Sequence, residues 1–453
     1  MNGAHDADLA HALQRARDFA ARAEDEAAKH AYLEVLRRDP THFSALNELG
    51  SLAYAGGYRS AARTAYEEAV RHHPGNPIVR VNLGNLLREE QELGAARLQY
   101  ETALGLDPEL YAAHQGLAAV LFELGEEGAL WHWRKGFAGH AVVERPYRGS
   151  GRGVPLLMLV SARAGNIPTQ LWVDDRRFAV TAIYAEFYEP DWVLPPHALI
   201  LNAIGDADLC AVALAHAADI VARSTAPVIN APACVRLTGR AENSRRLAAI
   251  AGVVAPKMRE LSLAQVLAAV DLQYPLLLRR PGFHTGEHFV LVESAATLAA
   301  QATALAGDEL LLIEFLDARG TDGMVRKYRV MFVAGTVYPL HLAISADWKV
   351  HYFTSSMALD AAFREEERRF LEDMPAVLGP RAMAALTRVC AALGLDYGGV
   401  DFGLAADGSI LLFEANATMV VFPADPDSIW DYRRRALSNV LDAAAKMLAG
   451  RAQ

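Results

Sequence analysis

The pattern of apolar and polar positions changes period part-way along the chain. Through the first third, small and aromatic residues recur every 34 positions, in segments beginning at Leu9, Phe43, Pro77 and Tyr111. Alanine recurs at Ala28, Ala62 and Ala96, tyrosine at Tyr32, Tyr66 and Tyr100, and proline at Pro40, Pro74 and Pro108. A Leu-Gly pair recurs at Leu49-Gly50 and Leu83-Gly84. Each segment has room for two helices and a turn. Small residues let paired helices approach, aromatics fill the gap, and proline closes the second helix before the next unit. The fourth segment keeps Leu117 but has Leu130 and Arg134 at the alanine and tyrosine positions, so it is expected to cap the array. Residues 144–153 are Gly-rich and aperiodic and read as a linker.

Beyond residue 154 the period shortens. Apolar runs of strand type occupy 154–162, 178–187 and 197–203, an Ala-rich stretch at 207–222 has helical length, and 228–232 reads as a strand running into a loop. This alternation predicts an α/β layer with a largely parallel sheet. From 236 onward the pattern predicts a helix over 242–251 and strands over 274–279, 290–293, 310–316 and 326–333. The last of these continues through Gly335 into 337–342 as a hairpin; helices are expected at 380–393 and 428–449.

One hairpin carries the candidate chemistry. Asp407-Gly408 is a two-residue turn signal, because a type I′ turn needs positive φ at both central positions. Counting outward pairs Ala406 with Ser409, Phe402 with Phe413 and Asp401 with Glu414, and strand alternation puts Asn416 on the face of Glu414. Opposed like charges destabilise a hairpin unless something lies between them. Three oxygen ligands on one face suit Mg²⁺ held together with substrate phosphates. The alternative is a solvated hairpin with an acidic open end.

Composition narrows the class. The chain has 453 residues, 52% of them hydrophobic, enough for two to four domains. A net charge of −10 argues against nucleic acid or an anionic membrane as general partners. Cys210, Cys234 and Cys390 are far apart and lack metal-ligand spacing, which fits a reducing cytoplasm. No apolar stretch at the N-terminus resembles a signal peptide, and the longest apolar runs are too short to span a bilayer.

The 34-residue unit resembles the tetratricopeptide repeat. From residue 154 to the C-terminus, the order of motifs resembles the ATP-grasp carboxylate–amine ligases, near glutathione synthetase and the ribosomal-protein glutamate ligases. Asn230-Ala231-Pro232 resembles the family's Asn-x-Pro loop, and Thr238-Gly239-Arg240 the lead-in to its first ATP-contacting strand. Ala251-Gly252-Val253 with Pro256 resembles its Ala-Gly turn. The run from Pro275 to Pro281, with Arg279-Arg280, resembles its Pro-(Val/Leu)-x-x-Lys-Pro strand. Gly282 to Gly286 stands where the family has a phosphate loop. Leu312-Ile313-Glu314-Phe315-Leu316 resembles the hinge whose backbone reads adenine, and 326–329 the strand whose arginine meets an acyl phosphate. The chain departs from the family in carrying arginine, at Arg240 and Arg280, where lysine is usual.

The resemblance implies a repeat solenoid over 1–140, a linker over 141–153, an α/β domain over 154–235 and an ATP-grasp domain over 236–450, divided at 308/309. It implies ATP and Mg²⁺, with Arg240, Arg280, Gly282, Gly286, Glu314 and Leu316 at the nucleotide, Asp401, Glu414 and Asn416 at the metal, and Arg329 at the oxyanion. Cations along the phosphates, and glycines that permit close backbone approach, are what phosphoryl transfer needs. Of the histidines, His284 and His288 adjoin the phosphate loop, while His341 and His351 lie near Ser345, Trp348 and Lys349 in an expected substrate loop; a lone histidine is more often structural. The expected function is an ATP-dependent ligase that makes an amide through an acyl phosphate, with the repeats capturing a peptide or protein substrate. Two alternatives stand beside it: a non-catalytic repeat scaffold with a degenerate nucleotide-binding domain, and a small-molecule ligase whose repeats form a homodimer.

Overall fold

The computed structural model describes residues 2–281, 288–305, 309–350, 355–422 and 427–452. Contacts divide the chain into two compact units, Met1–Gly153 with Phe187–Glu189, and Val154–Glu186 with Pro190–Gln453.

The first unit holds eight helices: α1 (Asn2–Ala21), α2 (Asp25–Arg38), α3 (Phe43–Ala55), α4 (Arg59–His72), α5 (Pro77–Glu89), α6 (Leu93–Leu106), α7 (Tyr111–Leu124) and α8 (Ala129–Phe137), then a short strand, β1 (Val142–Glu144). Consecutive helices pack in pairs, and each pair packs on the next. The start of α5 shows the local logic. Pro77 occupies its first turn, where the missing N–H costs nothing, and the Asn76 side chain accepts from the Ile78 N–H. Ala28, Ala62, Ala96, Tyr32, Tyr66 and Tyr100 are all buried. Tyr100 fills the notch between Gly84 and Gly116 so closely that a Cβ on Gly116 would lie 2.2 Å from its ring.

In the fourth repeat the pattern slips by one residue. Leu130 and Arg134 are exposed, and Ala129 and Trp133 take the buried small and aromatic positions. The expectation at 130 and 134 is therefore corrected. α8 starts at Ala129, after the left-handed Gly128, two residues later than the 34-residue period of α2, α4 and α6 gives.

The second unit begins with a parallel sheet in the order β3-β2-β4-β5, made of β2 (Val154–Val160), β3 (Phe178–Tyr184), β4 (Leu199–Asn202) and β5 (Val228–Ile229), with α9 (Ala211–Val221) between the last two. β2 and β4 are almost wholly buried, as the central strands of a covered parallel sheet must be. Parallel pairing ends here, apart from one two-residue contact. The parallel layer expected over 154–232 is therefore present, and the other pairings beyond it among the described residues are antiparallel.

After α10 (Pro232–Arg236), α11 (Arg240–Leu247) and β6 (Val253–Val254) come β7 (Met258–Ser262), α12 (Leu263–Leu267), β8 (Leu276–Arg279), β9 (Phe289–Val292), α13 (Ala295–Ala304) and β10 (Glu309–Glu314). β7, β8, β9 and β10 form an antiparallel sheet in the order β7-β10-β8-β9. α12 and α13 supply Val266, Leu298 and Ala302 to the core beneath it. Thr238-Gly239-Arg240 leads into a helix, not a strand.

The remaining elements are β11 (Val325–Val333), β12 (Thr336–Ser345), α14 (Ala361–Glu372), α15 (Met374–Leu393), β13 (Tyr397–Leu404), β14 (Ile410–Asn416) and α16 (Arg434–Arg451). Their sheet runs β12-β11-β13-β14-β6, with β6 parallel to β14. α14, α15 and α16 cover its back. There Glu367 of α14 is fully buried, pairs with Arg433 at 2.6 Å and accepts from Tyr432 and the Leu342 N–H. Among the described residues one helix, α15, is long and apolar enough, by length and composition, to cross a bilayer. It breaks at Gly379 (φ 77°) and buries Leu386, Val389 and Leu393 in this core.

Candidate functional site

The second and third sheets face each other across a cavity of about 450 Å³. That volume lies in the range of small-molecule sites. One side is built by β8, β10 and β7, the other by β11, β13 and β14. Asn230 ties the parallel sheet to this assembly: its side chain exchanges two hydrogen bonds, at 2.8 and 2.9 Å, with the backbone of Tyr397.

Register decides what faces the cavity. Asp401 stands opposite Glu414 on β14 and opposite Arg329 on β11. The turn between β13 and β14 is not type I′. Gly408 alone has positive φ, and the bonds Gly408 N–H to Ala405 O and Ala405 N–H to Ser409 O close a three-residue loop with a glycine bulge. That loop offsets the register by one. A second bulge then restores it: Phe402 faces Leu412, and Phe413 is the extra residue. The pairing of Phe402 with Phe413 is thus corrected, while Asp401 meets Glu414 because two departures cancel. The bulge also breaks alternation, so the consecutive residues Phe413 and Glu414 both line the cavity. On the other side of β11, a bulge at Leu340 of β12 lies at the level of Arg329.

The carboxylates do not stand unscreened. The Arg329 guanidinium donates to both oxygens of Asp401, at 2.5 and 2.7 Å, and Lys327 Nζ lies 3.3 Å away. Burial would raise the Asp401 carboxyl, but Arg329 and Lys327 hold it well below the usual carboxylate range. Arg240, at the first turn of α11, reaches Glu414 at 2.7 Å and Asp208 at 3.8 Å. Burial opposes ionisation of Glu414 too, and Arg240, Arg279 and Arg329 together hold it below its ordinary value. Asn416 Oδ1 accepts from the backbone N–H and the hydroxyl of Thr418, so its amide nitrogen is turned to Glu414 at 3.1 Å. Among the described residues no three His, Cys, Asp or Glu side chains are placed to hold a metal. The expected set takes Asn416 as its third donor.

The other wall is more apolar. Leu277, Ile313, Phe315, Leu316 and Met258 line it, and Glu314 is fixed there by accepting from the Lys257 N–H at 3.0 Å. Trp348 stands edge-on to Phe289 (5.3 Å) and Phe315 (6.4 Å). Arg279 lines the cavity and is buried; burial first, then Arg240, lowers its guanidinium to about 10. Arg280, the expected phosphate contact, is not among the lining residues, and its N–H bonds the His288 carbonyl. Gly282, Gly286, His284 and His351 lie outside the described residues. His341 is buried opposite Arg329, and burial, then Arg329, pushes its imidazole well below its ordinary value. Sequence reasoning missed Arg279, Lys327 and Asp208. Lys327 was readable, since it shares a strand face with Arg329 two residues on.

The tetratricopeptide repeat family matches residues 8–77 and 56–111. The N-terminal helices are tetratricopeptide repeats. They point to a protein-interaction or scaffold role for this region, and they precede a mixed α/β region with several sheets. Solved structures similar to the chain include MamA from Desulfovibrio magneticus RS-1 (22% identity, 28% of this chain, 72% of that one, TM-score 0.26). An O-GlcNAc transferase from Thermobaculum terrenum is 19% identical over 44% of this chain and 37% of that one, with a TM-score of 0.30. The first repeat domain of Spaghetti, bound to an HSP90 peptide, is 17% identical over 26% and 94%, with a TM-score of 0.25. No curated protein matches the chain.

Proposed function

We propose that the second unit is an ATP-dependent carboxylate–amine ligase of ATP-grasp type and that the repeats bring it a peptide or protein substrate. One observation carries the reading: a cavity with an apolar wall also gathers Arg240, Arg279, Lys327 and Arg329 around two carboxylates. The gathered cations suit a polyphosphate, and the apolar wall beside the 313–316 backbone suits a base. The three cysteines are free thiols, which agrees with a reducing compartment.

In this reading the substrate carboxylate attacks the γ-phosphorus of ATP, the bond to ADP breaks, and an acyl phosphate forms. The amine then attacks the acyl carbon, phosphate leaves, and the amine proton passes to solvent. Asp401, Glu414 and Asn416 are the residues that would hold Mg²⁺, and their all-oxygen donor set across two paired strands suits it. Bound there, Mg²⁺ would offset the negative charge of the phosphates. Arg240, Arg279 and Lys327 neutralise the triphosphate. Arg329, paired with Asp401 until the polyphosphate binds, then turns to stabilise the oxyanion at the acyl carbon. Positioning and electrostatics are the whole of the catalysis; no protein nucleophile takes part.

The test is phosphate release from Mg-ATP with pooled carboxylates and amines, run on the full chain and on a chain lacking 1–140. The full chain should release phosphate only when both substrate classes are present. The shortened chain should keep its nucleotide affinity and show a raised KM for a peptide substrate, because the repeats no longer concentrate it near the cavity. No nucleotide-dependent turnover with any pool would leave the scaffold reading as the better one.

A further inference from the structure

The three side chains that would hold a metal are already satisfied by the chain itself. Asp401 is bridged by Arg329 through two hydrogen bonds and flanked by Lys327. Glu414 is paired with Arg240 at 2.7 Å and receives the Asn416 amide. Both acceptor directions of Asn416 Oδ1 are taken by Thr418. Arg279 also stands nearby, and Asp208 faces Arg240 from its other side. A lone divalent cation entering this cluster must break two charge-assisted pairs. A polyphosphate offers the same cations a new partner. As it draws the arginines onto its own oxygens, it frees the carboxylates for the metal.

We propose that Arg240 and Arg329 are built-in counter-ions, so that Asp401 and Glu414 take up a divalent cation only together with a polyphosphate. The inference rests on the nucleotide reading above and adds an order of binding to it. It also gives the arginine at position 240 a task that lysine would do less well, since the planar guanidinium reaches Glu414 while its Nε stays near Asp208.

Mn²⁺ reports this through water-proton relaxation, whose enhancement per ion rises when the ion binds a macromolecule. Full-length protein with Mn²⁺ alone should show no enhancement up to about 1 mM, and adding a non-hydrolysable ATP analogue should produce it. Arg240→Ala should bind Mn²⁺ alone at least about tenfold more tightly than wild type, because Glu414 loses its counter-ion. Wild-type binding of Mn²⁺ alone as tight as with the analogue would overturn the proposal. So would analogue binding, measured by calorimetry, that never recruits Mn²⁺. If the analogue fails to bind while Arg240→Ala still gains Mn²⁺, the nucleotide reading falls and the counter-ion role stands. If Arg240→Ala gains nothing, the counter-ion role falls whatever the analogue does.

Discussion

Asp401→Asn separates the structural from the chemical role of this carboxylate. Asp401 is 3% exposed, accepts two bonds from Arg329 and pairs with Lys327. The substitution keeps the volume and removes the charge, leaving two largely buried cations without their shared partner. Breaking a buried pair costs about 3–5 kcal/mol. Relief of the repulsion between Asp401 and Glu414 offsets a little of that, so the lower end, ~3 kcal/mol, is expected. With a urea slope of about 3 kcal/mol/M, the unfolding midpoint should fall by roughly 1 M. The pH dependence gives a second signature. Because the folded Asp401 carboxyl titrates below its unfolded value, its contribution is complete above about pH 4 and is lost as pH falls through the folded value. The gap between wild type and variant should therefore be flat from pH 7 to 5 and narrow below about 4. Urea unfolding followed by intrinsic fluorescence at several pH values measures both. A gap under about 1 kcal/mol at pH 7, or one that widens on acidification, would refute the argument.

Two further outcomes follow from placement. Arg279→Ala should weaken nucleotide binding by about tenfold or more while Arg280→Ala leaves it within about twofold, because only Arg279 lines the cavity; calorimetric Kd values decide it. Gly116→Ala should destabilise the repeats by about 1–3 kcal/mol, since its Cβ would lie 2.2 Å from the Tyr100 ring; helical CD against temperature will show whether the array melts early.

How much of this was legible depended on which physical signal each element carried. The repeats were readable because burial recurs with the helix pairs: alanine and tyrosine at fixed spacing have no other economical explanation. Their fourth member was misread because its second helix, after a positive-φ glycine, starts two residues off the period of the others. β7 was missed because it is half exposed, with Arg259 and Glu260 in its middle and no alternation. α14 was missed because Arg364 to Arg369 is a run of charges whose single buried acid, Glu367, looks like its neighbours in sequence. Asp401 and Glu414 were paired by counting from the wrong turn type, and the Phe413 bulge cancelled the error. Which of two adjacent arginines faces the cavity depends on the phase of β8, and Arg279-Arg280 alone does not fix it. The counter-ions were hidden for a different reason. Arg240 meets Glu414 across 174 positions, and only the fold brings them together.

The paired bulges at Leu340 and Phe413 have a consequence for how this chain can vary through descent. A point mutation at either position alters one side chain and leaves its neighbours aimed as before. Loss or gain of a single codon in β12 or β14 would act on every residue beyond it, because strand faces alternate. Removing Phe413 would erase the extra residue whose side chain shares the cavity face with Glu414. Lineages carrying this hairpin should hold its length constant, while the glycine-rich stretch near residue 150 should absorb insertions with little effect.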